Sequence, residues 1–383
     1  METVYDALVV GCGPAGSTAG YLLASAGLNV AMFDKCTFPR HKLCGGLLPE
    51  KTVRIVERIF DVTRDELMGT GVIDHVSDKY TIYYHDAPVV QGVTPRPFYH
   101  VDRAAYDGFL LGKAVSRGAR LHEAEIVLGV DPRRGFIETR SGRRYCGRFI
   151  VGSDGALGVT KRYVHAGSRG RHTRPRTASA IEAEIPFSEL RRPLTQPAVI
   201  VGHMRLGYGW VFPTGKGVVA GLGGIRQKGE KSLKEIFDTM IAGLRLADPD
   251  SLKVRGHPIP FGNLRRRPVA GCLLLAGDAA GFADPITGEG VYHAHLSGEA
   301  ASAAVLCAVR GLGLVEDVYP DLLGRTVIPL LAGARRFQIV AYTALGVLPP
   351  VLAKAIVRRF HARALEVVNG MAGYPLSRCV LRK

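Results

Sequence analysis

The glycines at 11, 13 and 16, entered from the apolar run Tyr5 to Val10, constrain this 383-residue chain more than any other feature in it. A Gly-x-Gly-x-x-Gly spacing at the end of a buried strand lets the backbone bend tightly and approach a pyrophosphate. The spacing alone is a weak signal, and its context strengthens it. Ala15 to Ala26 reads as a helix stopped by Gly27, and Asn29 to Phe33 as a second buried strand. Asp34 then falls 34 − 16 = 18 residues past the last motif glycine, close to the roughly 20 expected of an acid that hydrogen-bonds an adenosine ribose. Strand, helix and strand together predict a Rossmann-like unit.

Further along, Leu48 to Phe60 reads as a charged helix and Lys79 to His85 as a strand rich in aromatic and β-branched residues. Asp102 is placed to cap a helix running toward Arg117, with Arg103 in its first turn. Strands follow over 120–130 and 136–140, and Arg148 to Val151 leads into Gly152, Ser153, Asp154 and Gly155, a second turn suited to contacting a nucleotide. After an arginine-rich loop over 162–176, the segment from Ala178 to His257 is strand-rich with one helix near 232–246. Gly271 to Ala276 is another buried strand, ending in Gly277 and Asp278, and a helix should begin near Gly288, Glu289 and Gly290. From Gly311 onward the pattern is helical and shows no internal repeat.

The expected class is therefore α/β (α+β), with three parts. A discontinuous dinucleotide-binding domain takes 1–75, 100–160 and 265–310. An inserted antiparallel-sheet substrate domain takes 76–99 and 161–264, and a helical C-terminal region takes 311–383.

Composition narrows the partners. Hydrophobic residues make up 47% of the chain, enough for a packed core. Lysine and arginine exceed acids by 50 − 34 = 16, which favours phosphates, anionic lipid or nucleic acid as company. No nucleic-acid module accompanies that charge, so nucleic acid is set aside. Seven cysteines without a Cys-x-x-Cys pair argue against a disulfide framework or a zinc site, and a reduced cytoplasmic setting is expected. His293 and His295 lack further ligands at metal spacing and read as helix residues, so no metal is expected. No signal peptide is evident, and the uncharged stretch Phe337 to Ala353, broken by Pro349 and Pro350, is too short to cross a bilayer. The tail from Ile328 to Arg363 mixes apolar residues with Lys354, Arg358, Arg359 and Arg363. That composition suits a cap over a substrate channel, peripheral contact with an anionic membrane at its inner face, or, as expected here, a tail that closes the channel and touches the membrane.

Three separated segments carry a resemblance: the glycine motif with Asp34, the Asp154-Gly155 turn, and Gly277-Asp278 followed by Asp284-Pro285 and Gly288-Glu289-Gly290. Together they resemble the flavoproteins that include aromatic-ring hydroxylases, halogenases and geranylgeranyl reductases, with a glutathione-reductase type of FAD-binding domain. Phe38 to Gly46 and Gly281 to Tyr292 are similar to the geranylgeranyl reductase branch in particular. So is Tyr208-Gly209-Trp210-Val211-Phe212-Pro213, followed by Gly221-Leu222-Gly223, which resembles that branch's prenyl-binding signature. Leu47 departs from the pattern, since many relatives carry a small residue there.

The resemblance implies FAD as cofactor and reduction of carbon–carbon double bonds in geranylgeranyl or other polyprenyl chains carried by a lipid, diphosphate or quinone. Gly11, Gly13, Ala15 and Gly16 would cradle the pyrophosphate, Asp34 and Lys35 would lie at the ribose, and Arg103 would reach the phosphates. Cys44, Gly45, Gly46, Asp154, Gly155, Gly277, Asp278, Gly288 and Gly290 would line the flavin. Cys44 is either a proton donor or positioning group for the alkene, or a small buried filler. Tyr208, Trp210, Phe212, Pro213, Gly221 and Gly223 are either a prenyl-contacting wall or the alternating core of a strand. NADPH, NADH and ferredoxin all stand open as electron donors, and the oligomeric state is open too. A monooxygenase or halogenase of the same superfamily is the competing enzyme, and a catalytically inactive flavin-binding lipid carrier the competing non-enzyme.

Overall fold

Two eight-stranded sheets organise the chain, each with its own buried core. The computed structural model describes residues 4–164, 178–260, 264–347 and 349–374. Most of the arginine-rich loop expected over 162–176, together with Cys379, lies outside the described residues.

The first sheet is built on the apolar strand Val4–Val10, which pairs in parallel with Val30–Phe33 on one side and Arg144–Gly152 on the other. Arg120–His122 and Leu273–Leu275 extend it in parallel at the two ends, and a hairpin of Val127–Asp131 and Phe136–Thr139 joins Arg144–Gly152. Strands buried on both faces read as continuous apolar runs, which is why this sheet was visible in the sequence. Pro14–Ser25 packs between Arg103–Ser116 and Val291–Val309. Asp102 caps the second of these helices as expected, its Oδ1 accepting from the amides of Ala104 and Ala105 at 2.7 and 3.1 Å.

The second sheet runs in the spatial order Arg255–Ile259, Ala178–Pro186, Gly217–Gly224, Gly207–Thr214, Ala198–Val201, Ile73–Tyr84, Ala87–Val101, Leu47–Pro49. Every pair is antiparallel except Ala198–Val201 with Ile73–Tyr84, which is parallel. The sequence expectation of a wholly antiparallel sheet is corrected at that one junction, where strands far apart in the chain meet. Leu47–Pro49 is a second difference. Placed by its neighbours at the start of a helix on the cofactor side, it forms three residues of strand against Phe98, Tyr99 and His100 before the helix Glu50–Phe60 begins. This short pairing ties the Cys44 loop to the substrate sheet.

One face of the second sheet packs Ile181, Ala183, Val211 and Leu222 against the helix Leu233–Gly243, through Phe237 and Met240. Alternation along each strand turns Glu182, Trp210 and Gly221 to the opposite face. The C-terminal helices are Val315–Arg325, Val327–Val347 and Pro350–Val368, and the last packs on Ala87–Val101. Beyond it, Tyr374 donates its hydroxyl to Asp284 Oδ2 at 2.9 Å. Val351, Leu352 and Phe360 are exposed beside Arg358 and Arg359. Among the described residues no helix is long and apolar enough to cross a membrane.

Candidate active site

At the first turn, Gly11 has φ +94°, and a Cβ there would lie 2.5 Å from the Ser153 carbonyl oxygen. A Cβ on Gly16 would lie 1.9 Å from the Gly11 carbonyl oxygen, so strand end and helix start interlock only with glycine at both positions. Ser153 Oγ donates to the carbonyls of Val10 and Gly11 at 3.1 and 2.7 Å. The helix opens at Pro14 after Gly13, and no side chain caps its first amides. An uncapped helix start behind a glycine cradle fits a pyrophosphate.

Asp34 is buried at the end of its strand. Its Oδ2 accepts from the Cys12 amide at 2.9 Å and its Oδ1 from the Cys36 amide at 3.0 Å. The two backbone bonds fix the carboxylate's orientation and leave each oxygen a further lone pair for a ribose hydroxyl. Lys35 is exposed. Asp154 departs from expectation. Its carboxylate is turned to Thr160, accepting from the amide at 3.0 Å and from Oγ1 at 2.5 Å, and burial raises its pKa. The carboxylate therefore closes its own turn, and only the backbone around Asp154 and Gly155 stands beside Gly11.

Arg103, expected at the phosphates, is held by an acid of its own helix. Its guanidinium makes a two-point bond to the fully buried Asp107, 2.9 Å at each contact, and Arg40 Nη2 reaches the same carboxylate at 3.2 Å. The Arg103 guanidinium also lies within electrostatic reach of the Cys44 side chain. Burial opposes its charge, but Asp107 and Cys44 outweigh that and raise its pKa, so a fixed cation sits against the thiol. Lys42 is pushed the other way, first by burial and then by repulsion from Arg103. Asp107 was not singled out in the sequence. Its spacing of four residues from Arg103 on a helix was the available signal.

The sheet face opposite this loop is built by register. Glu182 pairs with Gly221, and Gly221 with Trp210, so the three lie in one row across three strands. A Cβ on Gly221 would come within 2.2 Å of the Trp210 ring, and one on Gly223 within 3.4 Å, so the two glycines make room for the indole. A Cβ on Gly45 would lie 2.9 Å from the Phe212 ring and 3.0 Å from Trp210 Nε1, which puts the Cys44 loop directly on this wall. Gly46 has φ +71° and abuts the Val101 carbonyl. Pro213 is corrected out of the wall. One residue past Phe212, it pairs with Val218 and faces the helix-covered side.

Glu182, also missed in the sequence, is buried and accepts the Cys44 amide on Oε1 at 2.7 Å. Among the described residues its Oε2 has no partner, nor does Trp210 Nε1. Burial drives the Glu182 pKa up. The Cys44 amide, Lys42 and Arg103 pull it back and Glu184 adds to it, leaving it at about 7.

The third turn completes the enclosure. Gly277, at φ +58°, donates its amide to Ser297 Oγ at 2.9 Å and precedes Asp278. Asp284 Oδ1 accepts the amides of Ile286 and Thr287 at 2.8 and 3.0 Å, shaping the approach to Gly288, whose φ is +69°. Tyr208 donates its hydroxyl to the Thr287 carbonyl, joining the sheet to this turn. Gly290 then opens the 19-residue helix Val291–Val309 without a side-chain cap. His295 is a core residue of that helix, bonded to Tyr106 at 2.7 Å and Thr18 at 2.8 Å. Burial depresses the pKa of both His293 and His295 to about 3. Among the described residues no cluster could hold a metal ion.

A glycine-cradled, uncapped helix start, a fixed acid at the end of the second strand and a distant third turn facing them define a dinucleotide-binding flavoprotein. A family model described as an FAD binding domain matches residues 4–295. A geranylgeranyl diphosphate reductase of Rhodobacter capsulatus is 30% identical over 325 residues, 80% of this chain and 76% of that protein. The solved structure of a geranylgeranyl bacteriochlorophyll reductase-like protein from Thermoplasma acidophilum has a TM-score of 0.74 at 20% identity, covering 98% of this chain and 94% of that one. A flavin-dependent brominase shares the fold with a TM-score of 0.71 at 19% identity, covering 100% and 96%. The chain belongs to the geranylgeranyl reductase family of FAD-dependent oxidoreductases.

Proposed function

We propose that the protein saturates isolated carbon–carbon double bonds of a geranylgeranyl or related polyprenyl chain. The observation that carries this reading is the Trp210-Phe212 wall lying against Gly45, one residue from Cys44. An apolar wall gives a prenyl chain burial without hydrogen bonds and excludes water from the reacting carbons. The name of the Rhodobacter relative supports the same substrate class.

The Gly11 turn and the start of Pro14–Ser25 bind the cofactor's pyrophosphate, and Asp34 its ribose. FAD, when bound and reduced, supplies a hydride. An isolated alkene has no carbonyl to absorb the charge that follows, so the second carbon needs a proton from a positioned donor. Cys44 is the candidate to position the alkene for that transfer. Its amide is held by Glu182 and its side chain lies within electrostatic reach of Arg103, so the loop that carries the thiol is anchored beside a cation.

Anaerobic mixing of the chemically reduced, FAD-loaded protein with geranylgeranyl substrates tests the reading. Flavin reoxidation and product mass rising in steps of two hydrogens are expected. Product formation that requires oxygen, with no such mass gain, would instead favour a monooxygenase. Cys44→Ser should keep FAD and the melting temperature while slowing reduction by about 10- to 100-fold. Unchanged turnover would make the thiol a packing group.

A further inference from the structure

We propose that Glu182 is the acid of this site: its carboxyl supplies the proton for the second alkene carbon, through Oε2, beside the thiol it holds in place. The proposal rests on the prenyl-reducing reading above and adds a residue to it.

Four observations lead there. Glu182 is buried in the row formed with Gly221 and Trp210, on the sheet face that meets the Cys44 loop. Oε1 is anchored by the Cys44 amide at 2.7 Å, which fixes the carboxyl's plane. Oε2 has no partner among the described residues, although a buried carboxyl oxygen normally finds one. The neighbouring Trp210 Nε1 is equally unpartnered, so the unmatched polar atoms gather where Gly221 has removed a side chain.

The charged and titratable neighbours come from every element around it. Lys42 and Cys44 lie on the loop, Arg103 on its helix, and Glu184 on the same strand with His41 at 3.4 Å from it. Arg255 pairs with Glu182 across the adjoining strand, and His257 is two residues further on. Of these, Lys42 and Arg103 keep the carboxylate tolerable once the proton has left, while burial keeps the acid form available near neutrality.

The balance is simple. With hydride supplied by the reduced cofactor to one carbon, the alkene's π pair and the carboxyl's proton make one new C–H bond at the other carbon. The O–H bond breaks, and the carboxylate regains a proton from solvent before the next turnover.

Glu182→Gln preserves shape and removes the acid. It should keep FAD, keep the melting temperature at pH 5, and slow flavin reoxidation by prenyl substrate by about 100-fold or more with little change in KM. The parent is expected to lose rate above pH ~7, and that fall should vanish in Glu182→Gln. Independently of activity, infrared titration of the unmodified protein with and without FAD should show a protonated carboxyl band lost near pH 7, and Glu182→Gln should lack it. Turnover within twofold of the parent, or no carboxyl titrating near neutrality, would overturn the proposal. If Glu182→Gln does not fold, the infrared titration still decides, with Glu182→Asp expected to retain the band. A parent protein that reduces no prenyl substrate overturns the functional reading and this role with it. An active parent whose Glu182→Gln variant is equally active overturns only this role.

Discussion

The turn around Gly11 and the sheet face around Trp210 both keep polar groups from water, yet they treat them in opposite ways. At the turn, Asp34 receives two backbone amides and Ser153 donates to two carbonyls, so the protein itself meets its polar needs. At the sheet face, Glu182 Oε2 and Trp210 Nε1 are left unmatched, each at a cost of about 1–3 kcal/mol. The turn is a preshaped cradle whose form depends on close backbone contact. The sheet face holds its polar atoms in an apolar surround, where proton chemistry rather than tight binding is favoured.

The largest expected effect breaks the cradle. Gly16→Ala sets a Cβ 1.9 Å from the Gly11 carbonyl oxygen, a backbone atom that cannot rotate away. A loss of at least about 3 kcal/mol is expected, with FAD occupancy falling together with the melting temperature. Flavin absorbance after gel filtration measures the first and thermal unfolding the second. Full occupancy in Gly16→Ala would mean that the interlock is not what shapes the cradle.

The next effect sharpens the contrast through pH. Glu182 has a folded pKa of about 7 against an ordinary 4.5, so between those values the folded state binds more proton than the unfolded one. Stability contributed by this group is therefore full below pH 4.5, declines as pH rises to about 7, and stays low above it. Glu182→Gln remains neutral throughout and should be more stable than the parent at pH 8, by up to about 3 kcal/mol, with the gap closing by pH 5. Asp34→Asn should show no such gain, because it removes an acceptor from a satisfied group. Urea unfolding at both pH values decides the matter, and equal curves for Glu182→Gln and parent at pH 8 would remove the premise of a buried acid.

The same contrast explains what could be read from sequence. The Gly11 turn is local. Its glycines, the strand before it and Asp34 lie within one short stretch, and the reasons for them are covalent and steric. Glu182 is not local. In Ala178–Pro186 it alternates with apolar residues as an exposed charge would, and so does Glu184, which is indeed open to solvent. Only the pairing of Glu182 with Gly221, and of Gly221 with Trp210, turns that face inward. Pro213 was misplaced for a related reason, since a sequence motif carries adjacent residues together while a strand sends them to opposite faces. For Arg103 the sequence pointed only to the phosphates, because Asp107 and Cys44 reach it through the packing of a helix against a loop.

The smallest effect falls on the sheet face alone. Gly221→Ala adds one methyl within 2.2 Å of the Trp210 ring, a side chain that can shift, unlike the carbonyl facing Gly16. The indole would tilt toward Gly45 and narrow the wall without touching the Gly11 turn. Retained FAD with KM for a prenyl substrate raised about 10-fold is expected, equivalent to about 1.4 kcal/mol of lost binding. A truncated prenyl substrate should suffer less than the full-length one, because less of it lies along Trp210. If both lose equally, Gly221 acts through the position of Glu182, its partner on the adjoining strand, and the rate at saturating substrate should fall in parallel. The split between KM and kcat in this one variant thus separates a wall that binds from a row that places the acid.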